Sequence, residues 1–151
     1  MRYGNKHEPD ASRELEERTS LKIFPAKKYI PRKHKWLVCK PDGVAKQRCN
    51  GRYRARGIVE VKCPHSCRNK SFQEVMQTHR YFCLEYNDNG ELQLKKDHYY
   101  YYQVQGMLNM MQFSRCYFAV WTPTQFHWEI IYRDRRLWNL NMFPKLYNFY
   151  R

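Results

Sequence analysis

Short stretches of β-branched and aromatic residues, separated by turn residues, recur along the chain and predict a β-sheet. The segment at residues 58–62 (IVEVK) predicts a buried strand, which Pro64 ends. Further extended segments are predicted at residues 22–24, 35–39, 116–122 and 128–133, the last two as a hairpin. The tripeptide Pro41-Asp42-Gly43 predicts a turn that stops the strand at residues 35–39.

Helices are predicted between these segments, at residues 10–18, 71–77, 97–113 and from 137 onward. Pro9 is expected in the first turn of the first of them, where a missing N–H is harmless. In the third helix Val104, Leu108 and Met111 fall at i, i+4 and i+7, which predicts a stripe facing the core. The mixture predicts an α/β (α+β) fold with a central sheet, and 151 residues favour a single domain, residues 1–151.

The net charge of the chain indicates which class of partner it binds. The chain has 28 Lys and Arg against 14 Asp and Glu, a net charge of +14. Such a field favours a polyanion, either nucleic acid or an anionic membrane surface.

Targeting signals are absent from the sequence as given. No apolar run approaches the roughly 18 residues that span a bilayer, and the charged N-terminal stretch is unlike a secretory signal peptide. We therefore expect an intracellular protein, nuclear or cytoplasmic and not secreted, with no membrane partner and with its six cysteines as free thiols.

Candidate chemistry lies on the buried strand. Side chains alternate along a strand, so Glu60 and Lys62 share one face while Val59 and Val61 share the other. Charged groups in an apolar strand are costly unless they are paired or hold a metal. If the two segments pair as a hairpin, Asp42 lies beside Glu60, and a divalent cation such as Mg²⁺ would relieve the repulsion between their carboxylates. Taken alone, these residues are more typical of a turn and a salt-bridged edge strand than of a metal site.

Longer motifs favour the metal site over a turn and a salt-bridged edge strand. Asp42, Glu60 and Lys62 match the PD-(D/E)xK nuclease pattern. The strings GNKHEPDA, CKPDGVA, GIVEVKCP and YYYYQVQGML, in this order, resemble the lambda-exonuclease (YqaJ-like viral recombinase) family, and YFAVWTPTQFHWEIIYRD resembles the hairpin that closes its sheet. The resemblance spans nearly the whole chain.

The resemblance implies a restriction-endonuclease-like core, a mixed β-sheet flanked by helices, and a Mg²⁺-dependent (or Mn²⁺-dependent) exonuclease that acts on DNA. It implies that Asp42, Glu60 and the backbone carbonyl of Val61 bind the metal, and that Lys62 orients the attacking water. It implies further that Glu8 reaches the site from the first helix and that Gln105 borders it. Family members generally carry a further N-terminal helical region, so the core is expected to be shortened at its N-terminus. Relatives that form rings imply that homo-oligomers can form.

Two further sets of residues carry alternatives. The basic segment RCNGRYRAR, with Arg52, Arg54 and Arg56, predicts either a DNA-phosphate contact or a solvated loop or hairpin tip. Cys63, His65 and Cys67, with Cys49 upstream, suggest a zinc-stabilised basic adaptor, although paired zinc knuckles are missing. A non-catalytic DNA-binding remnant of the same fold is the remaining alternative to the nuclease.

Overall fold

A five-stranded mixed sheet forms the centre of the protein. The structure, a computed structural model, describes residues 3–150. The strands are β1 (Lys22–Phe24), β2 (Gly43–Cys49), β3 (Arg52–Lys62), β6 (Arg115–Trp121) and β7 (Phe126–Tyr132), and they lie in the order β1-β2-β3-β6-β7. A separate two-stranded ribbon pairs β4 (Leu84–Tyr86) with β5 (Leu92–Leu94).

The strand that carries the candidate chemistry is the middle strand of the sheet. β3 pairs antiparallel with β2 and parallel with β6, and the remaining pairs are antiparallel. The parallel pair requires the long crossover between β3 and β6, which contains the helices Phe72–Thr78 and Tyr99–Met111. The prediction of a buried central strand at residues 58–62 is confirmed.

Helices cover both faces of the sheet. They are α1 (Tyr3–Thr19), α2 (Phe72–Thr78), α3 (Tyr99–Met111), α4 (Arg135–Leu137) and α5 (Phe143–Tyr150), with one π-helical turn (Trp138–Met142) between the last two. None of the helices in the described part of the chain is both long and apolar enough to cross a membrane.

Alternation along β3 divides the core into two parts. Ile58 points to one face, where it packs with Phe118, Val104 of α3 and Val75 of α2. Val59 and Val61 point to the other face and pack against α1. The predicted α/β architecture, a mixed sheet flanked by helices, is confirmed, and so is the partition of residues 58–62 between the two faces.

Several local predictions were wrong. Residues 35–39 form no strand, and only an isolated bridge joins Tyr29 to Cys39. The residue after Asp42 begins β2, so Pro41-Asp42-Gly43 leads into a strand and does not close one. An added Cβ on Gly43 would lie 2.7 Å from Cγ2 of Ile23, so close packing of β1 explains the glycine. Pro9 lies inside α1 on its exposed side, not in its first turn.

Candidate active site

The register between β2 and β3 places Asp42 beside Glu60. Gly43 pairs with Val59, so Asp42, one residue earlier, comes next to Glu60. The backbone N–H of Asp42 donates to Oε1 of Glu60 at 3.2 Å, and Oδ2 of Asp42 accepts from the backbone N–H of Val61 at 2.8 Å. Two backbone hydrogen bonds thus hold both carboxylates at the same end of the sheet.

The ammonium group of Lys62 is fixed on the same face as Glu60. Its Nζ lies 3.0 Å from Oε2 of Glu60, donates to Oε1 of Gln103 at 3.0 Å, and stands 4.4 Å above the ring of Tyr100. Both Gln103 and Tyr100 belong to α3. Three contacts therefore orient one flexible side chain, which a positioned electrostatic catalyst requires.

A polar cavity of about 490 Å³ opens over these groups. α1 supplies Glu8, which faces Asp42 closely enough for a hydrogen bond between the two side chains. The lining consists of Glu8, Lys40, Asp42, Glu60, Val61, Lys62, Cys63, Pro64, Tyr100 and Gln103. Of the predicted catalytic and metal-binding residues, the structure brings Glu8, Asp42, Glu60, Val61 and Lys62 to this cavity.

Burial and the charge of Asp42 raise the pKa of Glu60 and of Glu8. Glu60 is only 3% exposed. Burial, and then the charge of Asp42, raise its pKa from 4.5 to about 7, while Lys62 acts in the opposite direction. Burial and Asp42 likewise raise the pKa of Glu8. The cavity is a place where positive charge would relieve a standing electrostatic conflict.

The donor set fits Mg²⁺. Within residues 3–150, no group of three or more His, Cys, Asp and Glu side chains is placed as a complete metal cage. Mg²⁺ does not need one, because it usually binds through one or two carboxylates and keeps several waters. Asp42 and Glu60 supply hard oxygen ligands, and a divalent cation would offset the repulsion from Asp42 that helps to raise the pKa of Glu60.

Gln105 does not border the cavity, so its predicted place in the site was wrong. Its side chain is fully buried, donates to the carbonyl of Tyr132 at 2.8 Å and accepts from the N–H of Asp134 at 2.7 Å. It therefore ties α3 to the end of β7. Gln103, the first glutamine of the same QVQ string, lines the cavity instead.

The helical period of α3 could have predicted that Gln103, and not Gln105, faces the cavity. Gln105 adjoins the buried stripe of Val104 and Leu108, whereas Gln103 lies one turn from Tyr100 on the side that faces the cavity. Lys40 and Tyr100 also line the cavity. Both lie within strings that carry the resemblance, CKPDGVA and YYYYQVQGML, but neither was assigned a role there. Only the folded arrangement brings them to the cavity that Lys62 lines.

The predicted DNA-binding arginines lie on the β2–β3 hairpin, away from the cavity. Arg52 and Arg54 are exposed near the hairpin tip. Arg56 is about 14 Å from Glu60 along the strand, and Arg52 about 27 Å, at about 3.4 Å per residue. The hairpin tip that the sequence suggested is confirmed, and a phosphate contact there stays a prediction.

The zinc alternative receives no geometric support from Cys49. It pairs with Arg52 at the tip of the hairpin, whereas Cys63 follows the opposite end of β3. Cys63 and Cys67 are buried, and all six cysteines are free thiols in the structure. Burial, and then the charges of Glu8 and Asp42, raise the pKa of Cys63 to about 12, which disfavours the thiolate that zinc requires.

Comparison with solved structures identifies the fold. The chain is similar to an alkaline exonuclease (LHK-Exo) from Laribacter hongkongensis, with a TM-score of 0.62 and 19% identity over 89% of this chain. A second structure of LHK-Exo, in complex with dAMP, matches with a TM-score of 0.63 and 19% identity over the same share. In both cases the match covers 58% of the exonuclease chain.

Comparison at the level of sequence identifies the family. A search of the curated proteins found no match. The model of the YqaJ-like viral recombinase domain matches residues 1–113, which include every residue of the cavity. Since that match covers most of the chain, and the fold is that of an alkaline exonuclease, the protein belongs to the YqaJ-like viral recombinase domain family.

Proposed function

We propose that this protein is a Mg²⁺-dependent DNA nuclease, an exonuclease that hydrolyses phosphodiester bonds during recombination or during replication of a virus or mobile element. The observation that carries the proposal is the convergence of Glu8, Asp42, Glu60 and Lys62 on one polar cavity at the end of the central strand. We further propose residues 1–151 as a single nuclease domain, built on the one sheet whose middle strand carries the site.

Asp42, Glu60 and the backbone carbonyl of Val61 are the groups that would hold the ion. When bound, Mg²⁺ supplies Lewis-acid activation of a water and of a phosphate oxygen. Mn²⁺, with the same preference for oxygen ligands, is expected to substitute for it. Glu8 lies on α1, apart from the strands that carry the other carboxylates, and its carboxyl reaches Asp42. From that side of the cavity it orients a water.

Lys62 supplies the positive charge at the reacting phosphate. Its Nζ already lies 3.0 Å from Glu60, so it needs no large movement to donate to an attacking water or to a phosphate oxygen. Gln103 borders the site in place of Gln105, and its carbonyl oxygen accepts a hydrogen bond from Lys62 that holds the ammonium in place. Gln103 is thus a positioning residue.

DNA is the substrate that the charge distribution favours. A net charge of +14 attracts a phosphate backbone over several ångström, and each phosphate neutralised releases counterions. Arg52, Arg54 and Arg56 extend this field along the hairpin. We propose that they contact the phosphate backbone and carry no sequence preference.

The decisive experiment is a cleavage assay on an end-labelled linear duplex, with Mg²⁺, with Mn²⁺ and with EDTA. We expect cleavage with either metal and none in EDTA. Asp42→Asn should lose cleavage through loss of the ion, so a higher Mg²⁺ concentration should restore part of it. Asp88→Asn is the matched control, because Asp88 is exposed in the turn before β5, and it should cleave like wild type.

The alternatives make different predictions in the same assay. A chain that binds the duplex but never cleaves it, with either metal, is a DNA-binding remnant of this fold. A purified chain that carries one stoichiometric zinc and does not cleave is a zinc-stabilised adaptor. Metal content measured on the same preparation therefore separates all three functions.

A further inference from the structure

A second cavity, of about 360 Å³, lies on the other face of the sheet and is lined by three arginines. Arg18 comes from the end of α1, Arg56 from β3 and Arg115 from the start of β6. Gln47 and Trp128 are among the remaining lining residues, and no Asp or Glu lines this cavity in the described part of the chain. Three cations from separate elements thus meet without a carboxylate among them.

Two features of β3 build this cavity. The register of β2 and β3 shifts between Ala45 and Lys46, whose partners are Gly57 and Ala55, so Arg56 is an unpaired bulge residue. A bulge of this kind re-aims the side chain it carries. An added Cβ on Gly57 would lie 2.6 Å from the carbonyl oxygen of Arg115 and 2.8 Å from its Cγ, so only glycine lets Arg115 lie across the strand.

The charges in this cavity are incompletely compensated. Arg18 pairs with Glu14 at 3.2 Å, but both side chains are substantially exposed, and such pairs are weak. Arg56 donates to Oε1 of Gln47, a neutral partner, at 2.8 Å. Nε of Arg115 is buried and has no hydrogen-bond partner among the described residues. Since guanidinium groups stay charged at all ordinary pH values, their repulsion and the unused donor both favour an anion.

We propose that Arg18, Arg56 and Arg115 form a phosphate-binding site for the backbone of a DNA strand held at the catalytic cavity. The fork of donors on each guanidinium matches the oxygens of a phosphate. The C-terminal end of α1 contributes about half a negative charge nearby, which three full positive charges exceed. The proposal rests on DNA being the substrate, as proposed above.

The spacing of the two sites suits one bound DNA. Glu8 reaches the catalytic cavity and Arg18 reaches the arginine cavity, and both belong to α1. Ten residues of helix separate them by about 15 Å at 1.5 Å per residue. A DNA that enters the catalytic cavity therefore needs only a few more nucleotides to place a phosphate between the arginines.

The first experiment uses inorganic phosphate and no metal. We would follow thermal unfolding in EDTA while phosphate replaces chloride at constant ionic strength. Wild type should show saturable stabilisation, and Arg56→Gln and Arg115→Gln should weaken the apparent affinity at least tenfold, because each loses charged hydrogen bonds. Arg32→Gln, the same charge change at an exposed arginine that lines neither cavity, should stay within twofold of wild type.

Three results of this titration would overturn the proposal. Wild type could show no saturable effect, or all variants could respond alike, as they would to a diffuse positive field. The third is a lower melting temperature of Arg115→Gln with unchanged phosphate affinity, which would mean that the arginines only neutralise the end of α1. If Arg115→Gln does not fold, Arg18→Gln replaces it, since Arg18 is an exposed side chain.

The second experiment identifies the source of the phosphate. Phosphate should compete with a fluorescent duplex for wild type, beyond the effect of chloride at equal ionic strength, and this excess should disappear in Arg115→Gln. Saturable phosphate binding that leaves duplex affinity unchanged would overturn the assignment to DNA. Both measurements are made in EDTA, so their results do not depend on cleavage. A chain that never cuts but shows the Arg115-dependent competition would refute only the proposed nuclease activity.

Discussion

Replacing Glu60 with glutamine should stabilise the metal-free protein at alkaline pH. Glu60 is 3% exposed and faces Asp42, and burial followed by that charge raises its pKa from 4.5 to about 7. Glutamine has nearly the same shape but no charge to bury. The variant therefore removes the electrostatic cost while keeping the side-chain volume in the site.

The size of the effect follows from the raised pKa. In the unfolded chain Glu60 ionises near pH 4.5, and in the folded protein near pH 7. Between these values the folded state holds one more proton, so wild-type stability falls by about 1.4 kcal/mol per pH unit. The difference from Glu60→Gln should be close to zero below pH 4.5, grow across this window and level off above pH 7 at about 3 kcal/mol. The ion pair with Lys62 is already included, because Lys62 lowers the same pKa.

Urea unfolding in EDTA at pH 5, 6, 7 and 8.5 measures this difference. Glu17→Gln is the control, since Glu17 is exposed on α1 and should change stability by less than about 0.5 kcal/mol at every pH. Adding Mg²⁺ at pH 8.5 should stabilise wild type more than Glu60→Gln, because the ion binds the ionised carboxylate. An electrostatic cost of burying the Glu60 carboxylate is excluded if Glu60→Gln is no more stable than wild type at pH 8.5, or if the difference does not grow with pH.

Three further predictions test the site and the partner. Lys62→Ala should slow cleavage by about 10²–10³-fold in single-turnover assays, and more Mg²⁺ should not restore the rate, while duplex affinity measured by anisotropy stays near wild type. Lys70→Ala, which replaces an exposed lysine, is the control. Cleavage by Lys62→Ala at the wild-type rate would disprove the role of Lys62. Gln105→Ala should lower the free energy of unfolding by about 1–3 kcal/mol, because it removes a fully buried side chain and two backbone groups lose their partner. Gln103→Ala should keep stability and slow cleavage. The reverse pattern in urea unfolding and cleavage would restore Gln105 to the site. Duplex affinity should fall steeply with salt, with a log–log slope of about −0.9 per neutralised phosphate, and a flat response in a salt titration would remove the backbone-binding proposal.

A structural feature could be predicted from the sequence when it depends on one element alone, and not when it depends on a distant partner. The face assignment of Glu60 and Lys62 was predictable, because side-chain alternation depends on the strand alone. β2 was missed because its sequence, GVAKQRC, is polar and has a glycine at its start. It forms a strand because β1 and β3 supply partners on both sides, which no window of a few residues can reveal.

The choice between Gln103 and Gln105 as the residue at the site likewise depends on contacts with distant segments. The QVQ string identified the helix, but which glutamine faces the cavity depends on how α3 is rotated against the sheet. That rotation is set by the packing of Val104 and Leu108 under Ile58 and Phe118, which are distant in sequence. Since Gln103 and Gln105 lie about 200° apart around the helix, the rotation admits only one of them to the site.

Composition and short periods along the chain were enough to predict the class of fold, the net positive charge, the central strand and the placement of Glu60 and Lys62 on one of its faces. The tertiary structure decided which side chains join them. It brought Lys40, Tyr100 and Gln103 to the cavity that Lys62 lines, and separately gathered Arg18, Arg56 and Arg115 on the opposite face. The physical reason is that strand register, a one-residue bulge and helix rotation are set by contacts between distant segments, and each of them changes which groups meet.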